Sequence, residues 1–237
     1  MPNRKNNSTA RKSAAATSVA SAPRGKSSSR DKPATAVPAS SGAIPASAAD
    51  DDRIVIALSL PEIELNQSMA AYFRKCEDKL GFVPNVLRAY AFDMAKLEAF
   101  VAMYNDLMLG PSDLSKLERE MIAVAVSSHN RCYYCLVAHG AAVRQLAADP
   151  VLGELMVMNY RAARLSKKQR AMLDFAVKLT SEPWTIGDAD RDALRNAGFS
   201  DRAIWDISAV TGFFNMSNRV ASAADMRPNS AYHIQAR

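Results

Sequence analysis

From about residue 53 onward, apolar side chains recur at intervals of three and four, the spacing that lines one face of an α-helix. Over 67–80 these positions are Met69, Tyr72, Phe73, Cys76 and Leu80, and Gly81 ends the run. Phe82-Val83-Pro84-Asn85 reads as a turn opening a short helix through Ala91. Leu97, Phe100, Val101, Tyr104 and Met108 repeat the spacing over 96–109, closed by Gly110-Pro111. Ser115-x-x-Glu118 and Ser166-x-x-Gln169 are capping boxes, each of which starts a helix. Asp188 to Ala197 stops at Gly198, and Ser200 caps a long segment running to Ala223. No convincing strand pattern interrupts this series. The chain from 51 to 237 is expected to be an all-α domain.

The two capping boxes head related segments. LSKLEREMIAVAV (114–126) and LSKKQRAMLDFAV (165–177) agree at seven of thirteen positions, which suggests a degenerate internal duplication. At this offset Glu120, Cys132, Cys135 and His139 stand opposite Ala171, Pro183, Ile186 and Asp190.

Residues 1–50 differ in kind. They are rich in Ser, Ala, Pro and basic residues and hold almost nothing large and apolar, so a disordered tail is expected. Eight Lys/Arg against Asp31 and Asp50 in this stretch account for the whole formal net charge of +6. The remainder is neutral, which removes the main argument for a specific nucleic-acid surface. The tail has no continuous apolar h-region of a secretory signal. Apolar runs such as Met121 to Val126 fall far short of the roughly 18 residues of a membrane span. A cytoplasmic protein is expected.

Three cysteines occur, and two of them form Cys132-x-x-Cys135. This suits a working dithiol in a reducing compartment better than a secreted disulfide framework. With Asn130 as N-cap, Cys132 and Cys135 would share the first turn of a helix with His139 one turn further along the same face. The helix N-terminus favours thiolate there. Glu120, at the edge of the preceding apolar run, is a candidate base acting directly or through His139.

Glu120, eleven residues, Cys132-x-x-Cys135, three residues and His139 together resemble the signature of the alkyl hydroperoxidase D and carboxymuconolactone decarboxylase-like superfamily. GFVPN (81–85) and FFNMSNR (213–219) are similar to its peroxidase-related branch. The resemblance covers about residues 55–228. It implies an AhpD-like helical bundle, a homo-oligomer, and reduction of small organic hydroperoxides. It makes Cys135 the attacking cysteine and Cys132 the resolving one, with Glu120 and His139 relaying protons. No bound cofactor is implied, since an external dithiol resets the pair by exchange. One departure stands out: well-studied members carry a histidine just before the second cysteine, where this chain has Tyr134.

Other readings accompany this one. A lactone decarboxylase-like enzyme would work without the cysteines, and a non-catalytic redox sensor or interaction protein would form the disulfide without turnover. A buried structural cysteine pair is the bland alternative. Zinc held by Cys132, Cys135 and His139 would need Glu120, His129 or water as fourth ligand, and the second half of a zinc finger is absent. Cys76 reads as a core residue, Trp184 and Trp205 as packing residues, His129 as a loop or helix-end residue, and His233 as part of a frayed terminus.

Overall fold

The computed structural model describes residues 55–237. The expected disordered tail, residues 1–50, lies outside them. The described chain folds into ten α-helices without a strand. They are α1 (Gln67–Leu80), α2 (Asn85–Tyr90), α3 (Met94–Tyr104), α4 (Lys116–His129), α5 (Tyr133–Ala147), α6 (Pro150–Asn159), α7 (Lys167–Ser181), α8 (Asp188–Asn196), α9 (Asp201–Ala223) and α10 (Ala231–Ile234). None is long and apolar enough to cross a membrane.

Local signals set most boundaries. The Asn66 side chain accepts the Met69 N–H at 2.9 Å to start α1, and Gly81, at φ +82°, ends it in the left-handed region. Both capping boxes form as expected, at Ser115/Glu118 and Ser166/Gln169. Ser200 caps α9, whose end at Ala223 agrees with the sequence pattern. The third helix differs from expectation. It begins at Met94 because Asp93 caps it, and it leaves α geometry at Asn105, running on as a π turn over Asn105–Leu109. Gly110 closes that turn with its N–H near the Asn105 and Asp106 carbonyls. A Cβ there would sit 2.5 Å from the Asp106 oxygen, so the position admits only glycine.

The fold is organised around α4. Residues Arg119 to Ser127 are all buried, the pattern of a helix enclosed on every side. It packs against α5, α6, α7 and α9. Leu97, Met121, Ile122, Met156, Leu173, Ile207 and Phe214 are fully buried in the surrounding core. Each such side chain contributes about 1.5–3 kcal/mol by leaving water. Arg119 is buried with them; its guanidinium donates to the Leu107 and Gly110 carbonyls and so fixes the π turn to the central helix.

Two expectations are corrected. Trp184 and Trp205 are 79% and 71% exposed and pack no core. The C-terminus is not frayed: buried Arg144 on α5 donates to the Tyr232 and Gln235 carbonyls, and the Tyr133 hydroxyl lies 3.3 Å from His233 Nε2. Cys76 packs against the core as expected, half-buried, and also lines a cavity wall.

Candidate active site

Three helices supply the site. Glu120 comes from α4, Cys132, Cys135 and His139 from the start of α5, and Phe214, Ser217 and Asn218 from α9. The connection from α4 to α5 is very short. Asn130 ends α4, and its side-chain amide crosses to Asn215 Oδ1 and Asn218 Oδ1 on α9 at 3.1 and 2.9 Å. Engaged there, it does not cap α5, contrary to the sequence reading. Cys132 takes the N-cap position instead, without a side-chain cap bond. Arg131 turns the chain between them at φ +54°, a conformation that costs a non-glycine residue about 1 kcal/mol or more. The bond from Cys132 N–H to the Ser127 carbonyl, 3.0 Å, and the contacts of Asn130 hold it in place.

The two cysteines are reduced and buried, each 1% exposed. The Cys135 thiol donates to Cys132 sulfur. That bond, opposed by burial and helped by the Cys135 N–H, the Ser222 hydroxyl and the charge of His139, pulls the Cys132 thiol down to about 6. Cys135 is pushed well up, first because its proton is the one donated, then by burial and by the Cys132 charge. Hydrogen bonds from Asn218 and Ser217 draw it partly back. Near neutrality the pair therefore carries one negative charge and one shared proton. The resting charge lies on Cys132, not on the cysteine that the family resemblance assigns to attack.

Access separates the two sulfurs in the opposite sense. A cavity of about 680 Å³ opens between α1, the π turn, α5 and α9, a size typical of small-molecule sites. Cys135, His139 and Glu120 line it; Cys132 does not. Both cysteines belong to a small apolar cluster with Ala89, Tyr134, Ala138, Ala221 and Met226, against which Val55 and Ile56 pack, but of the two only Cys135 also reaches the cavity.

Glu120 Oε2 lies 2.7 Å from His139 Nδ1, with both side chains almost fully buried. An ionised Glu120 accepts the Nδ1 proton, which leaves Nε2 as the ring nitrogen able to take up or release a proton. Phe214 packs edge-on to the imidazole, centroids 4.6 Å apart, and fixes its plane. The sequence reading of all four candidates as one cluster agrees with this geometry. Tyr134 stands where well-studied members of the resembled family carry a histidine. Its hydroxyl accepts the Val86 N–H at 3.1 Å, and burial pushes its pKa well up, so it stays neutral.

Sequence reasoning missed several wall residues. Tyr104 and Tyr232 face the cavity, each pushed up in pKa first by burial and then by the Glu120 charge. Ser217 and Asn218 touch Cys135 from α9. Asn218 lies within FFNMSNR (213–219), a segment whose resemblance carries no sign of which side chain meets the cysteines. Tyr232 had no local signal, being near the end of the chain. Among the described residues, no group of three or more His, Cys, Asp and Glu is arranged to hold a metal ion.

Comparison with known proteins places this geometry. The carboxymuconolactone decarboxylase family profile matches residues 96–156. The chain is 64% identical to an uncharacterized peroxidase-related protein from Silicibacter sp. TM1040, with TM-score 0.75, covering 77% of this chain and 96% of that one. It is 40% identical to an uncharacterized peroxidase-related protein from Ralstonia eutropha JMP134, described as an alkylhydroperoxidase AhpD core, with TM-score 0.75 and coverage of 78% and 97%. The debrominase Bmp8 shares the fold at 21% identity and TM-score 0.60, over 73% of this chain and 94% of that one. A search of the curated proteins finds no match. With the same fold and high identity across nearly the whole length of two peroxidase-related proteins, this chain belongs to the alkyl hydroperoxidase D and carboxymuconolactone decarboxylase-like superfamily.

Proposed function

We propose that the protein is a thiol-dependent peroxidase that reduces organic hydroperoxides through Cys135 and Cys132, with Glu120 and His139 as its proton relay. The observation that carries this reading is the position of Cys135: it lines the cavity beside the Glu120–His139 pair while hydrogen-bonded to Cys132 behind it.

The chemistry starts from the singly charged pair. Transfer of the shared proton from Cys135 to Cys132 makes the cavity-facing sulfur the thiolate without any further deprotonation. That thiolate attacks the distal oxygen of the hydroperoxide, the O–O bond breaks, and the alkoxide leaves as alcohol with a proton from His139. Cys135 is then a sulfenic acid. Cys132 attacks its sulfur, the disulfide forms, and the displaced hydroxyl leaves as water with the Cys132 proton. One hydroperoxide, one dithiol carrying a single negative charge and one proton give alcohol, water and disulfide. An external dithiol restores the pair by exchange.

The test is hydroperoxide consumption with a panel of dithiol donors, alongside mass spectrometry of the Cys132→Ser variant. Turnover in the parent and sulfenic acid trapped on Cys135 are expected. Oxidation found on Cys76 instead would overturn the assignment. The family profile over 96–156 favours a second reading, a lactone decarboxylase-like enzyme. Activity on a lactone that survives loss of both cysteines would select it.

A further inference from the structure

The cavity is amphipathic in a directional way. Its deep wall carries Cys135, Glu120 and His139, and the carboxylate of Glu120 is engaged by His139. Exposed Lys75 and Lys79, one turn apart on α1, and exposed Lys116, the first residue of α4, also line it. None of the three makes an ion pair among the described residues, and no other carboxylate lines the cavity there. Glu77 and Asp78, also on α1, are exposed and are not part of the lining. Leu80, Phe100 and Leu109 supply apolar wall. Leu80 and Leu109 remain 45% and 54% exposed, an apolar surface with nothing of this chain covering it.

We propose that this cavity binds a long-chain carboxylate, and that the substrate is accordingly a fatty-acid hydroperoxide. Its carboxylate sits among Lys75, Lys79 and Lys116, its hydrocarbon lies against Leu80, Phe100 and Leu109, and its hydroperoxide reaches Cys135. The binding part stands on the lysines and the apolar wall. The hydroperoxide part rests on the peroxidase reading, with the same balanced steps: thiolate attack, release of the hydroxy-fatty acid, disulfide formation, and reset by an external dithiol.

Two measurements separate the parts. In the first, linoleate and methyl linoleate are titrated into the full-length Cys135→Ser variant by calorimetry, with and without Lys75→Gln, Lys79→Gln and Lys116→Gln combined. Linoleate is expected to bind on the order of tenfold tighter than its ester, since three exposed ion pairs contribute up to about fivefold each. The triple lysine variant should lose that preference. Equal binding of acid and ester, or a preference that survives the triple change, overturns the proposal even if the protein is a peroxidase. In the second, kcat/KM is compared for linoleic acid hydroperoxide and its methyl ester in the cysteine-intact protein. A preference for the acid that falls toward unity in the triple lysine variant is expected. A preference in binding with no consumption of either hydroperoxide would overturn the peroxidase reading and the substrate assignment, and keep the carboxylate site.

Discussion

The segments 114–147 and 165–196 make the same structural start and then diverge. Both begin at a serine capping box and run into a helix of the buried core, α4 in one case and α7 in the other. After α4 the chain turns within three residues into α5, and a cysteine pair sits at that turn. After α7 it meets Pro183, which opens a 3-10 turn at the position opposite Cys132 and delays the next helix to Asp188. The cross-links differ too. Glu120 and His139 join α4 to α5 out of water, whereas Lys178 and Asp190 join α7 to α8 at the surface, 2.7 Å apart and 36% and 21% exposed. The same helical frame tolerates either outcome. Chemistry follows from what the turn carries, not from the frame.

The comparison breaks most sharply at the sulfurs. Cys135→Ser should reduce hydroperoxide turnover to background while leaving the urea midpoint almost unchanged, because the substitution is small and adds no charge. Residual turnover near the parent level would remove Cys135 from the reaction.

Next comes the buried pair. General acid–base catalysis commonly contributes about 10²- to 10⁴-fold, and Glu120→Gln, which weakens proton delivery through His139 to the leaving alkoxide, should cost turnover within that range. His139→Ala should act in the same direction, and the double variant should be less than additive if the two form one relay. Their stability effects should differ. His139→Ala leaves a buried carboxylate without its partner, which costs up to about 3–5 kcal/mol, whereas Glu120→Gln leaves no such charge. Urea melts of the two variants check this ordering. In a Cys76→Ser background the pair should also show one thiolate by ultraviolet absorbance titrating near pH 6, and no second one until well above the ordinary thiol range. Two independent thiols titrating together would contradict the shared proton.

Smaller still, and equal in the two halves, should be the caps. Ser115→Ala and Ser166→Ala each remove an N-cap acceptor, worth about 1 kcal/mol. Chemical denaturation of both variants tests whether the halves share this feature; a tenfold disparity in their ΔΔG would deny it.

These features show what was legible in the sequence. Caps and glycine stops act within a few residues, so α1 and α9 were readable at both ends and α4 and α7 at their starts. The spacing of Glu120, Cys132, Cys135 and His139 was readable as a cluster because it spans two consecutive helices. Failures arose where a distant partner decides. Asn130 looks like a cap until α9 offers it Asn215 and Asn218. The tip of the chain looks frayed until Arg144 grips its carbonyls. Trp184 and Trp205 look like core because size, not position, was the available signal. Nor does spacing reveal that Cys135 faces the cavity while Cys132 holds the resting charge; that needs the third helix.

The smallest effect is expected at Asp190, the counterpart of His139. Its carboxylate accepts the Lys178 ammonium at 2.7 and 2.8 Å and the Gly187 N–H at 2.9 Å, and the Lys178 bond is the chief cause that holds its pKa below the ordinary value. A depressed folded value means that the contribution is fully present above the unfolded value, about 3.9, and is lost as pH falls through the folded one. Water screens this half-open pair, so no more than about 1 kcal/mol is at stake. Asp190→Asn keeps an acceptor for Gly187 and removes only the charge. It should lower stability by at most that amount at pH 7, and the difference from the parent should narrow as the pH falls below the unfolded value. Hydroperoxide turnover should not move. A drop in turnover comparable to that of Glu120→Gln would mean that the second cross-link also serves the chemistry and that the two halves are less divided than their sequences suggest.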